Sequence, residues 1–234
     1  MTAIVTTEIV DGVALLAMDD GKANAMSLAM QQQIHEGLDL AEQHNAPVVL
    51  TGRDGIFSAG FDLKTLAAGG QPAVDMLRGG LELSLRLLQF PTPVIAACSG
   101  HAIAMGIFVL TSCDYRIGIE GKYRYAANEV AIGMTMPWST IEILRQRLTP
   151  TGVNRAVLFA ENFTPDNAVA FGVLDEVVTS DALRDHALQV ARNTNSLDMR
   201  AHFDSKKRLR MDTIAAIRAG LEKDQIGWEK QFLA

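Results

Sequence analysis

Hydrophobic and polar positions along the chain fall into short β-type runs that alternate with helix-type stretches. Ile4 to Val10 and Val13 to Met18 are rich in β-branched and aliphatic residues, and the intervening Asp11-Gly12 suits a two-residue hairpin turn. After the loop Gly21-Lys22-Ala23-Asn24-Ala25-Met26, Ser27 is placed to cap a helix running to about His44. Leu28, Ile34, Leu38 and Ala41 lie near one face of that helix. Pro47 to Thr51 returns as a buried strand, which completes a βαβ pattern. In such patterns ligands sit beyond the carboxyl ends of the strands.

Two Gly/Ala-rich segments follow buried runs. The first is Gly52 to Leu63, where Gly55 and Gly60 free the backbone to turn and Ser58 and Ala59 leave room beside main-chain amides. A helix from about Pro72 to Gln89 comes next, and Pro91-Thr92-Pro93 leads into the most apolar part of the chain. There Ile95 to Leu110 reads as strand, tight loop and buried helix, ending at Thr111-Ser112-Cys113-Asp114. This order predicts both Gly/Ala segments at the same end of one sheet. The first turn of the buried helix would aim free backbone N–H groups at whatever occupies the loop, favouring an anion or a developing oxyanion. Close packing of a helix on a sheet would produce the same small residues.

Beyond Pro137 the pattern turns helical. Thr149-Pro150 and Thr164-Pro165 both read as a cap followed by proline at the first helical position, and Val173 to Val178 as one more strand. From Asp181 onward the chain is largely helical, with breaks expected near Asn195 and Gly220. This divides it into a core over residues 1–195 and a helical region over 196–234, whose apolar face must be buried against the core or a partner.

Composition narrows the function classes. With 234 residues, 48% hydrophobic and 21% charged, the chain can bury one sizeable core, and a net charge of -6 opposes general binding of nucleic acid. Met1 to Val10 lacks the pattern of a secretory leader, and neither secretion nor a membrane span is expected. Cys98 and Cys113 both lie in apolar runs and read as buried free thiols, which suits a reducing cytoplasmic setting better than a disulfide or a metal site.

Phe57-Ser58-Ala59-Gly60-Phe61-Asp62 resembles the first signature of the crotonase superfamily, the enoyl-CoA hydratase/isomerase group. Gly100 through Cys113-Asp114 resembles the second, at the expected interval, and the similarity extends from the hairpin to about Val178. The resemblance implies an α/β spiral of ββα units with a C-terminal helical region that serves assembly and pocket closure. It also implies a homotrimer or dimer of trimers and an acyl-CoA thioester substrate, with coenzyme A carried by that substrate and no separate cofactor.

Carried over residue by residue, the resemblance assigns the two N–H groups that hold the thioester oxygen to Phe61 and Met105, beside Gly60 and Gly106. Where Met105 stands the family commonly has glycine, so the Met side chain must turn away or narrow the pocket. The resemblance brackets the coenzyme A arm with main chain around Lys22, Ala23, Ala59 and Phe61. Proton transfer needs an acid/base, and Glu129, in Ala126-Ala127-Asn128-Glu129-Val130-Ala131-Ile132-Gly133, matches the family's carboxylate, with Gly133 and Pro137 in place. Its apolar neighbours predict burial and a raised pKa.

One position departs from the hydratase pattern. Hydratases of the family carry a second glutamate where this chain has Phe108, which cannot bind water or carry a proton. A single carboxylate resembles the 3-enoyl-CoA isomerases, in which one acid shuttles one proton. Hydration remains open if Glu82, Asp20 or another carboxylate reaches the water, and so does a binding subunit without turnover. Phe108, Trp138, Tyr123 and Tyr125 are candidates to line an acyl pocket or ordinary core residues. Asp62 is read as a loop anchor, and Ser99-Gly100-His101 lacks an oriented acid for a nucleophilic triad. Lys206-Lys207-Arg208-Leu209-Arg210 is either a solvated helix face or a contact for the phosphates of coenzyme A, with Lys22 and Arg53 as further candidates.

Overall fold

The structure is a computed structural model that describes residues 3–233. Met1 and Thr2, part of the leader reading, and Ala234, at the end of the helical region, lie outside the described residues. The chain opens with the expected hairpin, β1 (Val5–Val10) and β2 (Val13–Met18), paired antiparallel from Val5 opposite Met18 to Val10 opposite Val13. Asp11 and Gly12 both have positive φ, 49° and 79°, as a primed hairpin turn requires. Helix α1 (Leu28–Gln43) starts where Ser27 accepts a hydrogen bond from the Met30 N–H, and it buries Met30, Ile34, Leu38 and Ala41.

Three strand pairs then repeat one plan. In each pair, β3 (Val48–Thr51) with β4 (Gly55–Ser58), β5 (Val94–Ala97) with β6 (Gly100–Ile103), and β7 (Tyr115–Ile119) with β8 (Tyr125–Ala126), the first strand joins a large sheet and the second a small one. The six-stranded sheet has the order β1-β2-β3-β5-β7-β9, where β9 is Glu176–Val178, and is parallel apart from the β1–β2 pair. The three-stranded sheet, β4-β6-β8, is wholly parallel. Helices α2 (Leu63–Ala68) and α3 (Gly70–Leu88) follow β4, and α4 (Met105–Ser112) follows β6. This is the expected α/β spiral of ββα units.

The expectation that both Gly/Ala segments end one sheet is corrected. Each contains a strand of its own, β4 or β6, and these strands form the second sheet. They pair closely because a Cβ on Gly100 would fall 2.0 Å from the Gly55 carbonyl carbon, so only glycine fits there. The helix expected from Pro72 begins at Gly70, and a short α2 precedes it. Of the strand expected over Val173 to Val178 only the last three residues pair, while Val173 and Leu174 are buried beside it.

The remaining elements are α5 (Trp138–Arg145), α6 (Pro150–Phe159), α7 (Pro165–Ala168), α8 (Leu183–Asn193) and α9 (Met199–Phe232). Thr149 caps α6 by accepting from the Gly152 N–H at 3.1 Å, as expected for Thr-Pro. The break near Asn195 is a 3-10 turn over Thr194–Ser196, but no break occurs at Gly220, where α9 runs on for 34 residues. Gly220 marks a close approach instead: a Cβ there would lie 2.7 Å from the Ser139 nitrogen at the start of α5. One turn on, Asp224 accepts from the N–H groups of Trp138 (2.8 Å) and Ser139 (2.9 Å) and from the Ser139 hydroxyl (2.6 Å), thereby capping α5 from a different helix. Ile217, Leu221 and Trp228 bury the apolar face of α9 in the same core as α1, α3 and α4.

Candidate active site

All three strands of the small sheet run in the same direction, and their carboxyl ends carry the residues of interest. Strand β4 leads into Ala59-Gly60-Phe61, β6 into Ala104-Met105, and β8 into Ala127-Asn128-Glu129. The last two exits are tied by the Ala104 N–H, which donates to the Ala126 carbonyl at 2.8 Å. Gly60 has φ +101°, and a Cβ there would sit 2.9 Å from the Ala104 Cβ and 3.4 Å from the Met105 nitrogen. Only glycine lets these two loops meet.

Ala104 is the N-cap of α4 with φ 49° and provides no side-chain cap, so Met105 starts the helix with an N–H that has no acceptor inside it. Met105 is fully buried, and its side chain runs toward Gly80 of α3, as does the ring of Phe61. The Met105 sulfur thus lies against α3. Gly106 lies against Ser58, where a Cβ would be 2.2 Å from the carbonyl oxygen, so it seats α4 on β4. Asp62 anchors the loop as expected, accepting from the Lys64 and Thr65 N–H groups and from the Thr65 hydroxyl at 2.7 Å.

The loop before α1 runs alongside. The Ala59 N–H donates to the Ala23 carbonyl (2.9 Å) and the Met26 N–H to the Gly60 carbonyl (2.8 Å), so the Ala23–Met26 segment lies along Ala59-Gly60. Buried Asn24 fixes this loop through Nδ2 bonds to the Met18 and Phe57 carbonyls, and its own carbonyl accepts from Ser58 Oγ at 2.7 Å. Lys22 is exposed at the rim, and its carbonyl accepts from Arg53 at 3.1 Å.

Glu129 lies just beyond β8, immediately before a 3-10 turn over Val130–Ile132 that ends at left-handed Gly133. Its carbonyl accepts from the N–H groups of Ile132 and Met134, which holds the backbone, while one side-chain oxygen, Oε2, is buried without a hydrogen-bond partner. The residue is 7% exposed. Burial pushes its carboxyl up to about 7, against a smaller opposing effect from its own backbone N–H. The carboxyl can thus change protonation near neutral pH, and among the described residues no cation pairs with it.

A family model for enoyl-CoA hydratase/isomerase matches residues 8–231. This chain belongs to that family. The enoyl-CoA hydratase/isomerase family includes the human mitochondrial enoyl-CoA delta isomerase 1, 28% identical over 212 residues covering 88% of this chain and 70% of that protein. Among solved structures, an enoyl-CoA hydratase from Mycobacterium marinum is 43% identical with a TM-score of 0.92, over 98% of this chain and 100% of that one. An enoyl-CoA isomerase from Mycobacterium tuberculosis is 43% identical with a TM-score of 0.91, over 95% of this chain and 97% of that one. The protein is an enzyme of this isomerase and hydratase group, which acts on acyl-CoA thioesters.

Within this enoyl-CoA hydratase/isomerase fold, the other carboxylates weighed from the sequence are engaged elsewhere. Asp20 accepts from the N–H groups of Lys22, Asn24 and Ala25, and although burial pushes its pKa up, these bonds outweigh burial and hold it below its ordinary value. Glu82 pairs with Arg78 at 2.8 Å on an exposed face of α3. Phe108 is buried in the main core, and Trp138 is 60% exposed beneath the Lys223 ammonium, 4.7 Å from the ring centroid. The Ser99 hydroxyl donates to the Arg53 carbonyl, while His101 Nδ1 accepts from the Arg124 N–H. That leaves no Ser-His pair.

The basic run on α9 presents Lys207, Arg208 and Leu209 to solvent, as a solvated face would, and is corrected at Lys206 and Arg210. Lys206 and Arg210 are buried, neither solvated nor free for phosphate, and both pair with Asp114, at 2.6 and 2.8 Å. Lys206 also donates to the Thr92 carbonyl and Arg210 to that of Leu88. Asp114 accepts from the Val94 N–H at 2.8 Å, and Arg147 donates to the carbonyls of Cys113 and Asp114. This cluster, just past the end of α4, escaped the sequence reading, as did Gly80. The i, i+4 spacing of Lys206 and Arg210 on one helical face was the available signal. Cys98 and Cys113 are both buried free thiols, with burial pushing each up to about 12.

Proposed function

We propose that the enzyme moves the double bond of a 3-enoyl-CoA to give a 2-enoyl-CoA, with Glu129 as its sole acid/base. The observation that carries this reading is the buried carboxyl of Glu129, whose Oε2 has no partner and which is poised near neutrality. The Glu129 carboxylate takes a proton from C2 of the 3-enoyl thioester. The released electron pair spreads over a dienolate, whose charge gathers on the thioester oxygen. The Phe61 and Met105 N–H groups receive that oxygen, one from the β4 exit and one from the first turn of α4, where the helix dipole adds to the effect. Glu129, now neutral, returns its proton to C4, and the double bond then lies between C2 and C3.

Phe108, at the position of the hydratases' second glutamate, supports isomerisation over hydration because it supplies no site for a water nucleophile. A dry pocket also strengthens the two N–H interactions with the dienolate. Coenzyme A enters as part of the substrate, its arm running past Ala23, Ala59 and Phe61, with Lys22 and Arg53 as candidate cations for its phosphates. Gly60, Gly106, Phe108 and Trp138 remain the proposed surroundings of the acyl group.

The test is turnover of matched 2-enoyl- and 3-enoyl-CoA substrates by wild type and Glu129→Gln, with products identified by mass spectrometry and chromatography. Isomerisation that vanishes in Glu129→Gln is expected. Efficient formation of a 3-hydroxyacyl product by wild type would overturn the reading in favour of hydration, and thioester binding with neither reaction would favour a binding subunit.

A further inference from the structure

The two proposed oxyanion donors come from different loops, yet their side chains meet at one point of a third element. On α3, a Cβ added to Gly80 would lie 2.6 Å from Phe61 Cε1, 2.8 Å from Phe61 Cζ and 3.3 Å from Met105 Sδ. We propose that Gly80 is a positioning residue whose bare Cα is the common seat of the Phe61 and Met105 side chains and so fixes the aim of their two backbone N–H groups. The inference rests on the reading of those amides given above.

The geometry makes the seat specific. Glycine in a helix interior is unfavourable relative to alanine, so Gly80 in mid-α3 calls for a packing reason. Met105 supplies part of it: a fully buried, unbranched side chain at the first residue of α4 needs space, and the missing Cβ of Gly80 provides it. Phe61 supplies the rest, because its ring packs on the core beside the same point. A methyl group at residue 80 would press on both side chains at once. Met105, met at 3.3 Å by its flexible thioether, can yield by small side-chain rotations, whereas the rigid Phe61 ring, met at 2.6 Å and packed on the core, passes the pressure to the Gly60-Phe61 backbone, and small displacements matter for a group aimed at a developing charge.

Gly79 offers a matched control on the same helix. A Cβ there would meet Gln31 Oε1 at 2.4 Å, an equally tight contact, but one directed at the Gln31 side chain of α1, whose amide donates to the Met26 and Met76 carbonyls, and not at the Phe61 or Met105 side chains. Comparison of Gly80→Ala with Gly79→Ala therefore separates loss of the seat from general strain in α3. Phe61→Ala keeps its backbone N–H and removes the ring atoms that Gly80→Ala would strike, so the double variant closes a cycle.

The experiment measures kcat and KM for 3-enoyl-CoA isomerisation, together with the infrared carbonyl stretch of a bound saturated acyl-CoA labelled with carbon-13 at the thioester carbon. Gly80→Ala is expected to lower kcat about 10- to 100-fold, leave KM within about threefold, and return the carbonyl stretch toward that of free ligand. Gly79→Ala should stay within about threefold of wild type in kcat, and Gly80→Ala should change kcat less than about threefold in the Phe61→Ala background. Wild-type kcat in Gly80→Ala, an equal loss in Gly79→Ala, or an unmoved carbonyl stretch would overturn the inference. If Gly80→Ala fails to fold, the double variant decides: activity equal to Phe61→Ala supports the seat, and lower activity or failure to fold overturns it. Absence of isomerisation in wild type would instead remove the reaction assigned above, while the carbonyl stretch still reports on Gly80.

Discussion

Glu129 and Asp114 are both largely withdrawn from water, yet one carboxyl has an oxygen with no partner and the other is crowded with donors. Asp114 sits just past the carboxyl end of α4, where Lys206, Arg210 and the Val94 N–H converge on its two oxygens. Glu129 lies beyond β8, toward the end where α4 begins, with Oε2 facing no protein donor. A saturated carboxylate ties α9 to the segments around it and has no capacity left for chemistry. An unsaturated one costs stability and retains the capacity to take up and release a proton. The comparison shows that burial alone does not distinguish a structural acid from a reactive one; the groups around it do.

The largest effect expected from breaking this contrast is at the reactive end. Glu129→Gln should lower isomerisation by about 10³-fold while leaving the fold intact, as measured by turnover alongside circular dichroism. At the saturated end the sign reverses. Asp114→Ala strands two buried cations and should cost about 3–5 kcal/mol in urea unfolding. Activity per folded molecule should change little.

Titration sharpens the same contrast. Glu129 keeps its proton in the folded chain up to about pH 7, against an ordinary value of 4.5. Between those values the unfolded chain has already lost the proton, so raising the pH lowers stability, by about 3 kcal/mol over the window. Glu129→Gln should therefore gain stability over wild type as pH rises from 4.5 to 7 and keep a constant advantage above that. Thermal melts of both proteins across pH would check it. Since proton removal needs the carboxylate, kcat/KM of wild type should fall as pH drops below about 7. The smallest effect belongs to an exposed carboxylate: Glu82→Gln should change stability by less than about 1 kcal/mol and leave kcat unchanged. A large loss of turnover there would give Glu82 a catalytic part.

Much of this contrast was legible in the sequence on one side and hidden on the other. Glu129 stood out because its apolar neighbours foretell burial and its spacing to Gly133 and Pro137 fits the family. The hairpin and α1 followed from Asp11-Gly12 and Ser27, whose effects are local. Strand β6 was read as a loop because four residues beginning with Gly100 carry too little periodicity, and its partner strands β4 and β8 are equally short. Gly220 looked like a helix break because a sequence cannot show Ser139 packed against it. Lys206 and Arg210 looked like surface for the same reason: their partners Asp114, Thr92 and Leu88 lie roughly a hundred positions earlier. Gly80 carried no signal beyond being a glycine in a helix.

Helix α9 is synthesised after every element it covers. Its apolar stripe of Ile217, Leu221 and Trp228, its two buried cations and its cap on α5 all serve segments made long before. While the ribosome holds α9, Asp114 lacks its cations and the start of α5 lacks its cap. The core of this protein is therefore complete only once α9 is in place, since α3 and α5 both pack against it.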